Sequence, residues 1–140
     1  MGKINASRVI LGGIVAGIVL DVLDYLVDDL WLGARWAEGQ KALGLTTFSS
    51  NQWIGFNLIG IATGIAAIWL YAAIRPSFGA GVKTAVIAGV AVWVIGSVLP
   101  NLDFMWVGAL YSHHLTAYTT AGALVETVAG AVAGAYFYKE

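Results

Sequence analysis

The chain has 140 residues, of which 59% are hydrophobic and 11% charged, with a formal net charge of −1 and a mean hydropathy of +0.81. A soluble domain carries about 25% charged residues, and one this short cannot bury so much apolar surface. A single integral membrane domain over 1–140, solvated by the lipid bilayer, is therefore expected. The near-neutral charge leaves no field for nucleic acid, and the absence of cysteine excludes disulfides, thiolate metal sites, iron–sulfur clusters and covalently attached c-type haem.

Four apolar stretches follow in order, over about 8–30, 52–74, 82–99 and 116–138. Each is about 18 to 23 residues long, enough to cross ~30 Å of hydrocarbon as a helix. Helices are the open-chain solution in lipid, because the backbone has no other partner there. The first stretch starts like a secretory signal but runs past signal length without a small-x-small cleavage site, so it is expected to stay as a span. The second is expected to stop at Arg75-Pro76 and the third at Pro100-Asn101, where proline disfavours continuation. The expected fold is all-α: a four-transmembrane-helix bundle.

Orientation follows from the basic residues. With four crossings, Lys3, Arg8, Arg75, Lys83 and Lys139 share one side, against Arg35 and Lys41 on the other. Both termini are thus expected in the cytoplasm. The connection over 31–51 contains WLGARWAEGQKALGL, a candidate interfacial helix, before Thr46-Thr47 and Ser49-Ser50, with Ser50 the expected N-cap of the second span. Trp31, Trp36, Trp53, Trp106, Tyr111 and Tyr118 fall near the outer interface, as an aromatic belt does.

A faint repeat joins the two halves. Asp28-x-x-Trp31-x-Gly33-Ala34-x-Trp36 returns as Asp103-x-x-Trp106-x-Gly108-Ala109-x-Tyr111, and Gly60-x-x-x-Gly64 returns as Gly130-x-x-x-Gly134. Each half is then an out-and-back hairpin, related to the other by a pseudo-twofold axis along the membrane normal.

Lipid gives little hydrophobic drive between helices, so close packing on small residues takes over. Gly13 and Gly17, Gly60 and Gly64, and Gly130 and Gly134 are the candidate packing stripes, with Gly89, Gly96 and Gly122 beside them. They suit a tight bundle and equally suit docking to another copy or to another integral membrane protein.

The stretch over 13–29 continues its glycine stripe into acids. Asp21, Asp24 and Asp28 share one helical face, and Glu126 lies between Gly122 and Gly130 at steps of four. Asp21 and Glu126 both lie ~20 Å from their cytoplasmic ends, close to level. An ionised acid at mid-membrane costs about 2.5–3.5 kcal/mol. Four readings compete. The acids form a hydrogen-bonded polar seam with Asn57, Thr63, Tyr25 or Tyr118. They carry a proton or cation, with Asp21, Asp24, Asp28, Asn57 and Glu126 as candidates. They hold a metal or small ligand, or they dock a partner's charge. A separate outward-facing metal site from Asp28, Asp103, His113 and His114 is a further candidate, although adjacent histidines on one helix point about 100° apart. No catalytic motif is present, and no catalytic residue or cofactor is expected.

Several stretches carry a resemblance. Ile4-Asn5 to Arg8-Val9, Gly12-Gly13-x-x-Ala16-Gly17, Trp69-Leu-Tyr-Ala-Ala-Ile-Arg-Pro76 with Phe78-Gly79, and Leu124-Val-Glu126 with Gly134-Ala-Tyr136 resemble a group of small bacterial four-span membrane proteins of unknown function. The resemblance implies a multi-pass protein of the bacterial inner membrane and carries over no activity. Asp24, Asp28 and Asp29 depart from that pattern. The expected function is a non-enzymatic accessory or interaction subunit that packs through its glycine faces. The alternative is a small transporter or proton/cation-binding protein using Asp21 and Glu126.

Overall fold

A computed structural model describes residues 4–45, 49–108 and 110–139. The described chain is helical, with no strand. Helix α1 is Ala6–Trp31, α2 is Gly33–Ala42, α3 is Ser50–Phe78, α4 is Val82–Gly108 and α5 is His113–Ala135. Helices α1, α3 and α4 are long and apolar enough to cross a membrane, which by length and composition makes this a membrane protein. Helix α5 is not among them. Glu126, Thr119, Thr120 and Thr127 dilute its apolar character, and α5 can carry them because it touches α1, α3 and α4. Helix α1 meets α3 and α5, α4 meets the same two, and α3 and α5 touch between them.

The packing inverts that of a soluble domain. Ile10, Leu11, Ile14, Ile18, Leu58, Ile59 and Ile95 point outward, while the interior is made of Gly12, Gly13, Ala16, Gly17, Gly60, Gly64, Ala67, Ala85, Ala88, Gly130 and Ala131. An apolar exterior of this extent needs lipid rather than water around it. Small residues let backbones touch. A methyl group on Gly13 would meet the Ile65 Cα at 2.5 Å, and one on Gly64 would run into the Gly13 carbonyl and the Gly17 amide. On the other side of α1, a methyl on Gly12 would lie 2.6 Å from the Gly134 carbonyl oxygen, and one on Gly130 would lie 2.7 Å from that of Ala16. The stripe 13-17 therefore seats α3 and the stripe 12-16 seats α5.

Helix ends have identifiable causes. Asn5 Oδ1 accepts from the Arg8 amide and caps α1. Ser49, not Ser50, caps α3, in a capping box: its hydroxyl accepts from the Gln52 amide, and the Gln52 side chain accepts from the Ser49 amide at 2.7 Å. Thr46 and Thr47 lie outside the described residues. Ser112 caps α5 through the Leu115 amide.

Neither proline stops its helix where the sequence suggests. Helix α3 runs through Pro76 to Phe78 and ends at Gly79, whose φ of 84° favours glycine. Helix α4 continues past Pro100 to Gly108. Just before Pro100 the helix widens into a π turn over Val94–Val98, with the Leu99 amide bonded five residues back to Val94. The proline ring would press on the carbonyl four residues back, at Gly96, and the wider turn relieves that clash.

The end that holds Asn5 is tied by tyrosines. The Asn5 amide donates to the Tyr138 hydroxyl at 3.4 Å and the Gly81 amide to the Tyr71 hydroxyl at 3.2 Å, and the two rings meet edge-on. The two motifs of the faint repeat also converge. Their tryptophans, Trp31 and Trp106, both fall in π-helical segments, Tyr25–Trp31 and Phe104–Gly108, and their last residues, Trp36 and Tyr111, stack edge-to-face at 4.9 Å. Ala109 lies outside the described residues.

Candidate functional site

The site forms where the α1 stripes leave the glycines. Along the stripe facing α5, steps of four from Gly12 and Ala16 reach Leu20, Asp24 and Asp28. Leu20 still packs against Gly130, where an added methyl would find its Cβ at 3.7 Å. Beyond it, carboxylate oxygens of Asp24, Asp28 and Glu126 all lie within 4.8 Å of one another. Glu126 is 3% exposed, and its Oε1 is buried without a hydrogen-bond partner. Asp24 and Asp28 are half-buried.

Two local features make room for this cluster. Gly122, one turn before Glu126, carries no side chain where a methyl would press on Val27 Cγ1 at 2.6 Å and sit 3.3 Å from Glu126 Oε1. In addition, α1 changes from α to π geometry at Tyr25, and the Leu32 amide bonds five residues back to Val27 at 2.9 Å. Such π turns are frequent at functional sites because they re-aim side chains without ending the helix. Asp28 sits within the π segment, and the Trp36 indole on α2 donates to its Oδ1 at 3.0 Å.

Trp36 has a second contact surface. With Tyr111, Asn101, Phe104, Thr116 and Thr119 it lines a cavity of about 240 Å³ between α2, α4 and α5. Thus one face of the indole bounds open space while its N–H holds a member of the carboxylate cluster. Nearby, Trp31 packs edge-on against Tyr118, and the Arg35 guanidinium lies 4.8 Å over the Tyr118 ring.

The sequence-predicted residues separate into those brought together and those left apart. Asp24, Asp28 and Glu126 join. Asp21 does not: it follows the 13-17 stripe to α3, where its carboxyl lies against Gly60. The expected pairing of Asp21 with Glu126 is therefore replaced by Asp24 and Asp28 with Glu126. Asn57 is exposed and bonds its own helix, donating to the Trp53 carbonyl at 2.8 Å, and Thr63 does the same to Ile59. Asp103, His113 and His114 are exposed, and Asp28 groups with Asp24 and Glu126 instead of with them. Gly13, Gly17, Gly60, Gly64, Gly130 and Gly134 face neighbouring helices of the same chain, whereas Gly96 faces open space.

Sequence reasoning missed Trp36, grouping it with the interfacial aromatics. The signal available was its place at the end of the repeated Asp-x-x-Trp-x-Gly-Ala-x-aromatic motif.

Chemically, the cluster is a set of hard oxygen donors, partly withdrawn from solvent, at the C-terminal end of α1. Such an arrangement suits a proton or a hard cation. No known protein family, curated protein or solved structure matches the chain.

Proposed function

We propose that the chain is a four-span protein of the bacterial inner membrane, with both termini in the cytoplasm, that binds a proton or cation at Asp24, Asp28 and Glu126. The fourth crossing is α5, packed against the other three helices. The observation that carries the reading is Glu126, buried among small residues with an unpartnered Oε1 and two further carboxylates within 4.8 Å. Polar groups inside a bundle are costly to keep unless they are used, and several like charges in one place need a positive counterpart.

The competing reading is an accessory subunit docked through its glycine faces, and within one chain those faces already have occupants. Gly13, Gly17, Gly60, Gly64, Gly130 and Gly134 are each filled by another helix of the same chain.

The test uses the full chain in vesicles and in mild detergent. Thermal stability is measured across chloride salts of Na⁺, K⁺, Mg²⁺, Ca²⁺ and Mn²⁺, and proton uptake under an imposed pH gradient. A response in the wild type that Glu126→Gln and Asp24→Asn abolish supports the proposal. If the variants respond to every salt and to the gradient as the wild type does, the proposal is rejected.

A further inference from the structure

From the ligand geometry, we infer that the Asp24–Asp28–Glu126 cluster binds a hard, calcium-sized divalent metal ion that approaches past Trp36 from the adjoining cavity. This inference rests on the cation-binding reading above and narrows it to one class of ion.

Charge is the first argument. Once a bound cation draws all three carboxylates into the ionised form, two uncompensated charges remain around a monovalent ion and one around a divalent ion. Ligand type is the second. All three donors are carboxylate oxygens, which suit Ca²⁺, Mg²⁺ and Mn²⁺, while the softer ions prefer imidazole or thiolate. His113 and His114 are exposed and outside the cluster, and the chain has no cysteine.

Size is the third argument. Oxygens bound to Ca²⁺ at 2.3–2.6 Å stand at most about 5 Å apart across the ion, whereas those of Mg²⁺ at 2.0–2.1 Å stand at most about 4.2 Å apart. The carboxylate oxygens here lie within 4.8 Å of one another. That limit falls inside the span of oxygens across a calcium-sized ion, so small side-chain movements bring the three residues onto one such ion. Glu126 Oε1 is the buried acceptor that such an ion would satisfy.

Hydration is the fourth. Calcium takes six to eight oxygens, and three carboxylates supply three when monodentate and at most six when all are bidentate, so water completes the shell in most arrangements. The cavity of about 240 Å³ on the far side of Trp36 has polar groups in Asn101, Thr116 and Thr119. It has room for several waters, at about 30 Å³ each in the liquid. Trp36 stands between that cavity and Asp28 and holds the Asp28 carboxylate by its N–H. It acts as a positioning residue, as hydrogen-bonded partners of metal ligands do.

The experiment is titration of the full chain, purified in mild detergent and stripped with EDTA, with Mn²⁺ followed by the electron paramagnetic resonance of the free ion. One Mn²⁺ is expected per chain, displaced by Ca²⁺ at comparable concentration and by Mg²⁺ only at roughly tenfold higher concentration. Glu126→Gln and Asp24→Asn should each weaken Mn²⁺ binding by about 100-fold and Trp36→Phe by about tenfold, in line with the effects of removing ligands and their supports. Asp103→Asn should leave it unchanged. Should Glu126→Gln fail to fold, Asp28→Asn and the ion order of the wild type decide the matter. Mn²⁺ binding that survives both Asp24→Asn and Asp28→Asn overturns the inference, because the ion then sits elsewhere. Absence of Mn²⁺ binding with retained Na⁺ stabilisation or Glu126-dependent proton uptake overturns the divalent ion alone. No response to any cation or to a proton gradient overturns both readings.

Discussion

The two halves of α1 follow the same periodicity and do opposite things with it. Between Gly12 and Gly17 the helix presents no side chain larger than a methyl toward its neighbours, and backbone meets backbone. Between Asp24 and Trp31 the same stripes carry carboxylates, the helix widens to π geometry, and oxygens replace close contact. The inner half gains stability from packing that lipid cannot supply. The outer half gives some of that up for a group of acids. Local rules broken at one place, and kept everywhere around it, mark a functional site.

The largest effect should come from breaking the inner half. Gly64→Val places a side chain against the Gly13 carbonyl and the Gly17 amide, with backbone on both sides and nothing flexible to give way. Overpacking of this kind costs about 3 kcal/mol or more. The expected outcome is loss of the cooperative thermal transition in detergent. Gly55→Ala, with nothing within 4 Å of the added methyl, should be neutral or stabilise by up to about 1 kcal/mol through helix propensity. Equal stability of the Gly64 variant and the wild type would mean that the helices do not touch there.

The next effect has the opposite sign. Glu126→Gln keeps the shape of the side chain and removes its capacity to ionise at a site that is 3% exposed. In EDTA the variant should be more stable than the wild type by about 1–3 kcal/mol, because a buried, unsatisfied carboxylate is costly. In saturating Ca²⁺ the order should reverse, since only the wild type gains the ion. Melting temperatures under both conditions measure this crossing. A variant that is less stable in both would make Glu126 a structural polar seam and erase the contrast between the two halves.

Much of this was legible in the residues, and the rest was hidden for a definite reason. The apolar runs announce the helices, and the four-residue glycine steps announce the stripes. Which neighbour each stripe faces is not written in spacing. Asp21 and Asp24 look like companions, yet three residues rotate an α-helix by about 300°, some 60° short of a full turn. That offset sends Asp21 to Gly60 on α3 and leaves Asp24 facing Glu126. Pro100 reads as a stop only if the helix must stay α, and the π turn before it removes that condition. Trp36 is hidden for a related reason. The chain between Asp28 and Trp36 leaves a π-helical segment and starts a new helix, so no fixed period connects the two.

Trp36 offers a finer cut within the outer half. Trp36→Phe keeps an aromatic ring beside Tyr111 and deletes, with part of the indole, the N–H that holds Asp28 Oδ1 at 3.0 Å. A hydrogen bond to a charged group contributes about 1.5–3 kcal/mol, part of which water from the adjoining cavity restores. The net loss in thermal stability should be about 1 kcal/mol, with a larger change in ion affinity than in folding. A purely structural tryptophan would show the reverse ratio.

The smallest effect concerns how far the functional character of the outer half extends. The start of α3 is set by the Ser49–Gln52 capping box, in which all the participating groups are exposed. Ser49→Ala removes the hydroxyl that accepts from the Gln52 amide and should cost about 1 kcal/mol, the usual value of an N-cap. Amide exchange should quicken in the first turn of α3 and nowhere else. Ion affinity should stay as in the wild type, because no residue of that turn belongs to the carboxylate cluster. If Ser49→Ala instead weakened ion binding as much as Trp36→Phe does, the outer half would behave as one coupled unit. The boundary drawn here between α1–α2–α5 and the start of α3 would then have to move.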